Sequence, residues 1–319
     1  MNDGPDVDDQ VVVHLEVCDD ALVELCGLAL PDELLTFDDV ESVLFACGGP
    51  VEPTASAHLE EPMISSGDST VLAILEDGRP VAAAGATTTL IGEHVAAHLQ
   101  VLVVHPACRR RGLGARLVHD VEQWALEQGS ATLSVGGGAP FFLFTGVDSR
   151  WTDALCCFEG LGFERTGVEL DLVCPTVPGR ARRYEAPGDL STAGVIDERD
   201  ALELGEWVRR TYPHWSAEFD RGAAAGTVVL ARLGSELVGA AAHSVSRWGV
   251  VGPVAVSPEA QGLGVGAALM ATVLGELSAA GLRQAEIAWA STVRFYALVC
   301  DARVGRSSVL LRKDLRRDG

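Results

Sequence analysis

The feature that most limits how this 319-residue chain can fold is a nine-residue segment that occurs twice. Pro106-x-x-Arg109-Arg110-Arg111-Gly112-Leu113-Gly114 and Pro258-x-x-Gln261-Gly262-Leu263-Gly264-Val265-Gly266 share the pattern P-x-x-[R/Q]-x-x-G-x-G. Each copy follows an apolar run that a proline ends, HLQVLVVHP over 98–106 and GVVGPVAVSP over 249–258, as expected where a strand stops. Each opens a segment of helical period: Leu113, Leu117, Val121, Trp124 and Ala125 share one face in the first, and Leu269, Met270, Val273, Leu274 and Leu277 do so in the second. Gly129 and Gly281 are the expected helix stops. The flanks repeat as well. TVLAILEDGRPVAAA (70–84) reads as a β-hairpin turning at Asp77-Gly78, and TVVLARLGSELVGAAA (227–242) as one turning at Gly234-Ser235. Further strands are expected at 132–136 and 285–290, then a short aromatic segment, then last strands at 168–173 and 307–312. The shared order β-β-β-α-β-α-β predicts an α/β chain with mixed sheets, built as two tandem domains.

The Pro-, Gly- and Arg-rich stretch CPTVPGRARRYEAPGDL (174–190) lacks either period, which places the boundary between residues 178 and 179. The domains expected are thus 1–178 and 179–319, each long enough to bury its own core. The opening part of each half, 10–65 and 190–222, reads as mainly helical. In ALELGEWVRRTY (201–212) the residues Leu202, Leu204, Trp207 and Val208 are expected to face inward. Asp3, Asp6, Asp8 and Asp9 mark the first ten residues as a frayed tail.

A net charge of −21 opposes binding of a polyanion over a broad surface, so neither nucleic acid nor an anionic membrane is an expected partner. Lys313 is the single lysine among 24 basic residues, which suits either a GC-rich genome or a salty cytoplasm. The eight cysteines form no C-x-x-C pair and no zinc-spaced cluster, so they read as reduced core thiols and no metal is expected. The N-terminus has no basic and apolar leader, and no run reaches the roughly 18 apolar residues that a membrane span needs. A cytoplasmic protein, monomeric or homodimeric, is expected.

Glycines in the doubled loop let the backbone come close to a ligand, and a helix's first turn presents N–H groups that lack intrahelical partners. With roughly half a positive charge at the helix start, a pyrophosphate is the fitting ligand. This pattern, its place between strand and helix, and the aromatic segment downstream resemble the GNAT superfamily of N-acetyltransferases over about 70–170 and 227–312. Gly262-x-Gly264-x-x-Ala267 also fits a dinucleotide-binding fingerprint nominally. The Pro-x-x-Gln spacer, Arg110 at the first copy's leading glycine, and Glu286 at the start of its strand weigh against that reading.

The resemblance implies acetyl-CoA as co-substrate, with its pyrophosphate on Arg109, Arg110, Arg111, Gly112, Leu113 and Gly114, or on Gln261, Gly262, Leu263, Gly264, Val265 and Gly266. It implies a backbone hold on the pantetheine arm at Leu102, Val103 and Val104, and at Val254, Ala255 and Val256. In R-F-Y-A-L (294–298), Tyr296 sits where the family often has a tyrosine that protonates the leaving thiolate. In A-L-C-C-F-E-G-L-G-F (154–163), Phe158 replaces it. The second half departs from the family at Cys300-Asp301-Ala302-Arg303, where Gly-Phe is usual. The expectation is therefore a tandem enzyme whose C-terminal half acetylates an amine of a small molecule or peptide, with Tyr296 as general acid. The alternative is a CoA-binding protein without turnover. His243, Glu218, Asp220, His98 and Glu93 are unranked candidates for a base. The aromatic insert GGGAPFFLFTGVDSRW (136–151) is expected to cover the seam between the halves, or else to wall a pocket.

Overall fold

A computed structural model describes residues 12–30, 35–45, 64–138, 140–177, 187–194 and 197–316. The expected tail, the boundary at 178/179 and Cys47 lie outside the described residues. The described chain forms two compact units: unit 1 runs up to Val168 and takes in the residues from Val309 on, while unit 2 runs from Glu169 to Ser308.

Unit 1 contains β1 (Val12–His14), α1 (Asp20–Ala29), α2 (Phe37–Leu44), β2 (Ile64–Glu76), β3 (Arg79–Ile91), β4 (His94–Val104), α3 (Leu113–Glu127), β5 (Thr132–Val135), β6 (Val147–Asp148), α4 (Thr152–Gly160) and the start of β7 (Glu164–Pro175). The order β1-β2-β3-β4 is antiparallel throughout, and β5 adds parallel to β4. Asp77 and Gly78, with φ of 51° and 76°, supply the two left-handed residues that a two-residue hairpin turn needs. Ala82, Ala83, Ala84 and Ala86 on β3 are fully buried, and this row of small side chains lets helices lie close to the sheet. Leu113, Leu117, Val121 and Ala125 of α3 fill that space with Leu72 and Ile74, while Trp124 is only partly buried.

Unit 2 holds the rest of β7, then β8 (Leu190–Ala193), α5 (Glu198–Thr211), α6 (Ser216–Ala225), β9 (Val228–Leu233), β10 (Glu236–His243), β11 (Val251–Val256), α7 (Val265–Ala279), β12 (Gln284–Ile287), α8 (Val293–Cys300) and the first half of β13 (Arg303–Asp314). Its four-stranded sheet runs β11-β10-β9-β8, and a parallel bridge from Val250 to Glu286 joins β11 to the start of β12. Leu269, Met270, Val273, Leu274 and Leu277 of α7 are all buried, as the period predicts. On α5 the buried face is Leu204, Trp207 and Val208, but Leu202 is 67% exposed. At about 100° per residue, position 202 lies some 200° from 204, which puts it on the solvent side.

The last strand of each sequence half departs from simple repetition. β13 ends in unit 1, pairing Leu311 with Val135 and Asp314 with Thr132 on β5. β7 ends in unit 2, pairing Leu172 with Ile287 and Cys174 with Ala285 on β12. In unit 1 the single lysine, Lys313, anchors that strand through a 3.0 Å pair with Glu122 of α3, at side-chain exposures of 14% and 11%. The expectation of core thiols holds for Cys26, Cys108, Cys174 and Cys300, but Cys156 and Cys157 are exposed on α4 because they point away from buried Leu155 and Phe158.

Candidate active site

Strand β4 carries a bulge. Its register with β3 passes from Ala86↔Leu99 to Gly85↔Val101, so Gln100 is an extra residue. Pairing between β4 and β5 runs from Ala97↔Leu133 to Leu99↔Val135, whereas β4 continues to Val104. Between the parted strands lies a cleft of about 840 Å³ in unit 1. Its floor is Leu99–Val104, one end is Arg109, Arg110 and Gly112–Ala115, and a wall is formed by Arg150, Trp151 and α4 up to Phe158.

The two glycine loops adopt one conformation. Each begins with a single 3-10 turn, Pro106–Cys108 and Pro258–Ala260. Two left-handed residues follow: Arg110 and Gly112 at φ 63° and 85°, Gly262 and Gly264 both at 82°. Arg110 thus takes the backbone that Gly262 takes, at a cost of about 1–2 kcal/mol for a residue with a Cβ. Neither Gly112 nor Gly264 is joined by a side-chain cap at the helix start. The first-turn N–H groups of α3 therefore face the cleft end without a competing side-chain acceptor.

The arginines of the first loop divide their roles. Arg109 bends back, its Nε donating to the Val104 carbonyl at 3.2 Å and its Nη2 to the Ala29 carbonyl at 3.1 Å. Gln261 reaches the equivalent Val256 carbonyl at 3.5 Å, so the Arg/Gln position braces the loop against the end of its strand in both copies. Arg111 pairs with Glu76 at 2.6 Å and is not among the cleft-lining residues. Arg110 lines the cleft, and its charge opposes the upward push that burial gives the Cys157 thiol.

The two loops differ in what lies over them. A Cβ on Gly114 would meet Val104 Cγ2 at 3.6 Å and Leu102 Cδ2 at 3.8 Å, ordinary contacts with its own floor. A Cβ on Gly266 would meet the Phe295 ring at 3.0 and 3.2 Å. In unit 2, then, an aromatic side chain from α8 covers the first turn of α7. The end of β11 is also engaged, since Tyr212 Oη donates to the Val256 carbonyl at 2.6 Å and Tyr212 stacks on Trp215 at 5.1 Å between centroids.

Tyr296 lies four residues past the N-cap Thr292, whereas Phe158 lies seven past the N-cap Trp151, so the two aromatics stand on different turns of their helices. Tyr296 packs edge-on to Phe295 at 4.9 Å. Burial, with a smaller contribution from Cys300, pushes its phenol up to about 12 against an opposing hydrogen bond with Thr292.

The candidate bases are dispersed. His243 is buried between Glu276 Oε2 at 3.2 Å and Ser244 Oγ at 3.1 Å. Burial pushes the Glu218 carboxyl on α6 up to about 8. Burial also raises Asp220, with Arg209 opposing. His98 is held by the Gly136 carbonyl at 3.3 Å, and burial lowers its pKa. Glu93 is exposed in the β3–β4 turn. None of the five lines the unit 1 cleft.

Two features escape sequence reading. Gln100, 2% exposed, donates from Nε2 to Thr87 Oγ1 at 2.9 Å and to the Gly137 carbonyl at 2.7 Å, and accepts from Leu143 N at 3.1 Å. The insert is thereby fastened to the bulge, and Gly136, Phe144, Gly146 and Val147 become cleft wall; in unit 1 the insert walls a pocket. The signal was a lone amide within HLQVLVV. The second is Arg150 on buried Asp148, which no motif marks. Among the described residues there is no cluster of ligands able to hold a metal, and no helix is long and apolar enough to cross a membrane.

The chain matches the Acetyltransferase (GNAT) family twice, over residues 37–137 and 193–298. No curated protein matches it in sequence. Among solved structures it resembles a GCN5-related glucosamine N-acetyltransferase region of a fungal multi-domain GH3 β-N-acetylglucosaminidase, with TM-score 0.68 and 18% identity, over 95% of this chain and 38% of that one. A tandem GNAT protein from the clavulanic acid biosynthesis pathway aligns at TM-score 0.66 and 17% identity over 96% and 99% of the two chains. A GCN5-related N-acetyltransferase from Sphaerobacter thermophilus aligns at 0.60 and 18% over 96% of each. At these identities the structures speak for the fold, while the paired family matches cover more than half of the chain: it belongs to the GNAT acetyltransferase family, with two tandem domains of that type.

Proposed function

We propose that the chain moves an acetyl group from acetyl-CoA to an amine of a small molecule or peptide in the cytoplasm, and that acetyl-CoA lies in the cleft of unit 1. The observation that carries this reading is the cleft itself: parted strands that end on the uncapped start of α3, with nothing but Val104 and Leu102 against Gly114. Its volume of about 840 Å³ falls in the range of about 300–1,000 Å³ common for small-molecule and cofactor sites. The charge is right as well, for the lining holds Arg109, Arg110 and Arg150 against Asp153 in a chain of net charge −21.

On this reading the N–H groups of α3's first turn and Arg110 hold the pyrophosphate, and the backbone of Leu102–Val104 holds the pantetheine arm. The amine attacks the thioester carbon directly, so no covalent enzyme intermediate forms. Phe158 lines the cleft and has no proton to give, so the departing thiolate takes the proton that the attacking amine sheds, relayed by water. Tyr296 has no proton-transfer role in this reading. It belongs to unit 2 and does not line the unit 1 cleft, and burial pushes its phenol up to about 12.

The test is release of free CoA thiol from acetyl-CoA with a panel of primary amines, using the whole chain and the Gly114→Trp variant. The reading expects thiol release with at least one amine and none from the variant. Tight CoA binding with no release for any amine would instead leave a CoA-binding protein without transfer.

A further inference from the structure

The wall of the unit 1 cleft carries a cation that lies outside the glycine loop. Asp148 is wholly buried, and a carboxylate there needs a fixed partner. Arg150 provides it: its backbone N donates to Oδ1 at 2.9 Å, its Nε lies 3.1 and 3.0 Å from the two oxygens, and its Nη2 lies 2.6 Å from Oδ2. This two-point contact sets the plane of the guanidinium as well as its position. The next residue, Trp151, packs edge-on against Phe144 of the insert at 6.0 Å, so the segment is held from both sides. Yet the Arg150 side chain remains 64% exposed and lines the cleft.

The other cations of the cleft do different work. Arg109 donates to the carbonyls of Val104 and Ala29, and Arg110 belongs to the glycine loop near Cys157. Arg150 lies before α4, whose first residue, Thr152, precedes Cys157 by five residues, roughly 7.5 Å along a helix at about 1.5 Å per residue. Arg110 and Arg150 thus meet the cleft at different places along its wall. An aspartate held at zero exposure to fix a half-exposed arginine is a built arrangement, and it points at a second negative group.

We propose that Arg150 binds an anionic group of the acyl-CoA other than its pyrophosphate. Two parts of such a ligand have this chemistry: the 3′-phosphate of the nucleotide, and a carboxylate at the end of a dicarboxylic acyl chain. The inference rests on the reading that unit 1 takes acyl-CoA.

The experiment titrates the whole chain and its Arg150→Gln variant with CoA, 3′-dephospho-CoA and succinyl-CoA by calorimetry. A charge-assisted contact predicts a loss of about tenfold or more in affinity. If the 3′-phosphate is the partner, the variant weakens for CoA and succinyl-CoA and matches wild type for 3′-dephospho-CoA. If the acyl carboxylate is the partner, only succinyl-CoA weakens. Equal weakening for all three ligands overturns the proposal and assigns Arg150 to holding the fold, and no change for any of them overturns it as well. Arg150→Lys, which keeps the charge and loses the fork, is expected to fall between wild type and Arg150→Gln for the affected ligand alone. If the wild-type chain binds none of the three, the acyl-CoA reading itself has failed, and this inference fails with it.

Discussion

The glycines at equivalent places in the two loops should respond to one substitution in opposite ways. Gly114 is helical, and a methyl on it meets only Val104 and Leu102 at 3.6 and 3.8 Å, so Gly114→Ala removes backbone freedom without strain. Glycine in a helix costs about 1 kcal/mol relative to alanine, so unit 1 should gain up to that much, or about 2–4 °C in melting temperature for a unit of this size. The same methyl stands on the cleft wall beside the N–H groups of α3, where a phosphate must come close. Affinity for CoA should fall about tenfold, equivalent to about 1.4 kcal/mol. In Gly266→Ala the methyl meets the Phe295 ring at 3.0 and 3.2 Å. Overpacking costs about 1–3 kcal/mol, which cancels or exceeds the helix gain, and CoA affinity should stay within about twofold. Differential scanning fluorimetry gives the first quantity and calorimetry the second. Gly114→Ala binding CoA as wild type does, with Gly266→Ala losing affinity, would place CoA in unit 2 instead.

Tyr296→Phe should keep kcat within about threefold; loss of a true general acid costs about 100- to 10,000-fold, so a drop of that size in thiol release would move the chemistry to unit 2. Lys313→Met leaves the largely buried Glu122 with only the exposed His119 at 3.9 Å, and breaking such a pair costs about 3 kcal/mol or more at a pH where His119 is neutral, to be read from denaturant unfolding as a lower midpoint. Glu218 is raised by burial to about 8 from an ordinary 4.5, so its neutral form is favoured by folding: that stabilisation is complete below 4.5 and is lost as pH rises through about 8. Glu218→Gln should therefore flatten the fall in melting temperature between those values, and an unchanged slope would show that Glu218 does not cause it.

Much of the fold could be read from the repeat, because hairpin, strand, glycine loop and helix are local patterns that each fix their own conformation. Asp77-Gly78 demands its turn, and the α7 stripe is buried residue for residue. The partners of the last strands could not be read, since a period of two shows which face of β7 or β13 is apolar but not which strand lies beside it. The same limit applies to side chains that act over distance. The spacing P-x-x-[R/Q] located Arg109 and Gln261, yet their task, bracing the carbonyls of Val104 and Val256, depends on where the chain turns back. In the sequence Arg111 is equivalent to its neighbours, but in the fold it pairs with Glu76 at 2.6 Å. Local motif pairs Tyr296 with Phe158, but the helices α8 and α4 begin at different distances from those rings. The cleft was hidden because the closure of Gly266 by Phe295, and the openness at Gly114, are properties of packing and not of the loops.

In the proposed function acyl-CoA occupies the cleft of unit 1, while Phe295 covers the matching place in unit 2. The most direct test is a calorimetric titration of CoA into the whole chain, Gly114→Trp and Gly266→Trp. One CoA per chain is expected, with binding abolished by Gly114→Trp and retained by Gly266→Trp. Binding that survives Gly114→Trp and disappears in Gly266→Trp would contradict it.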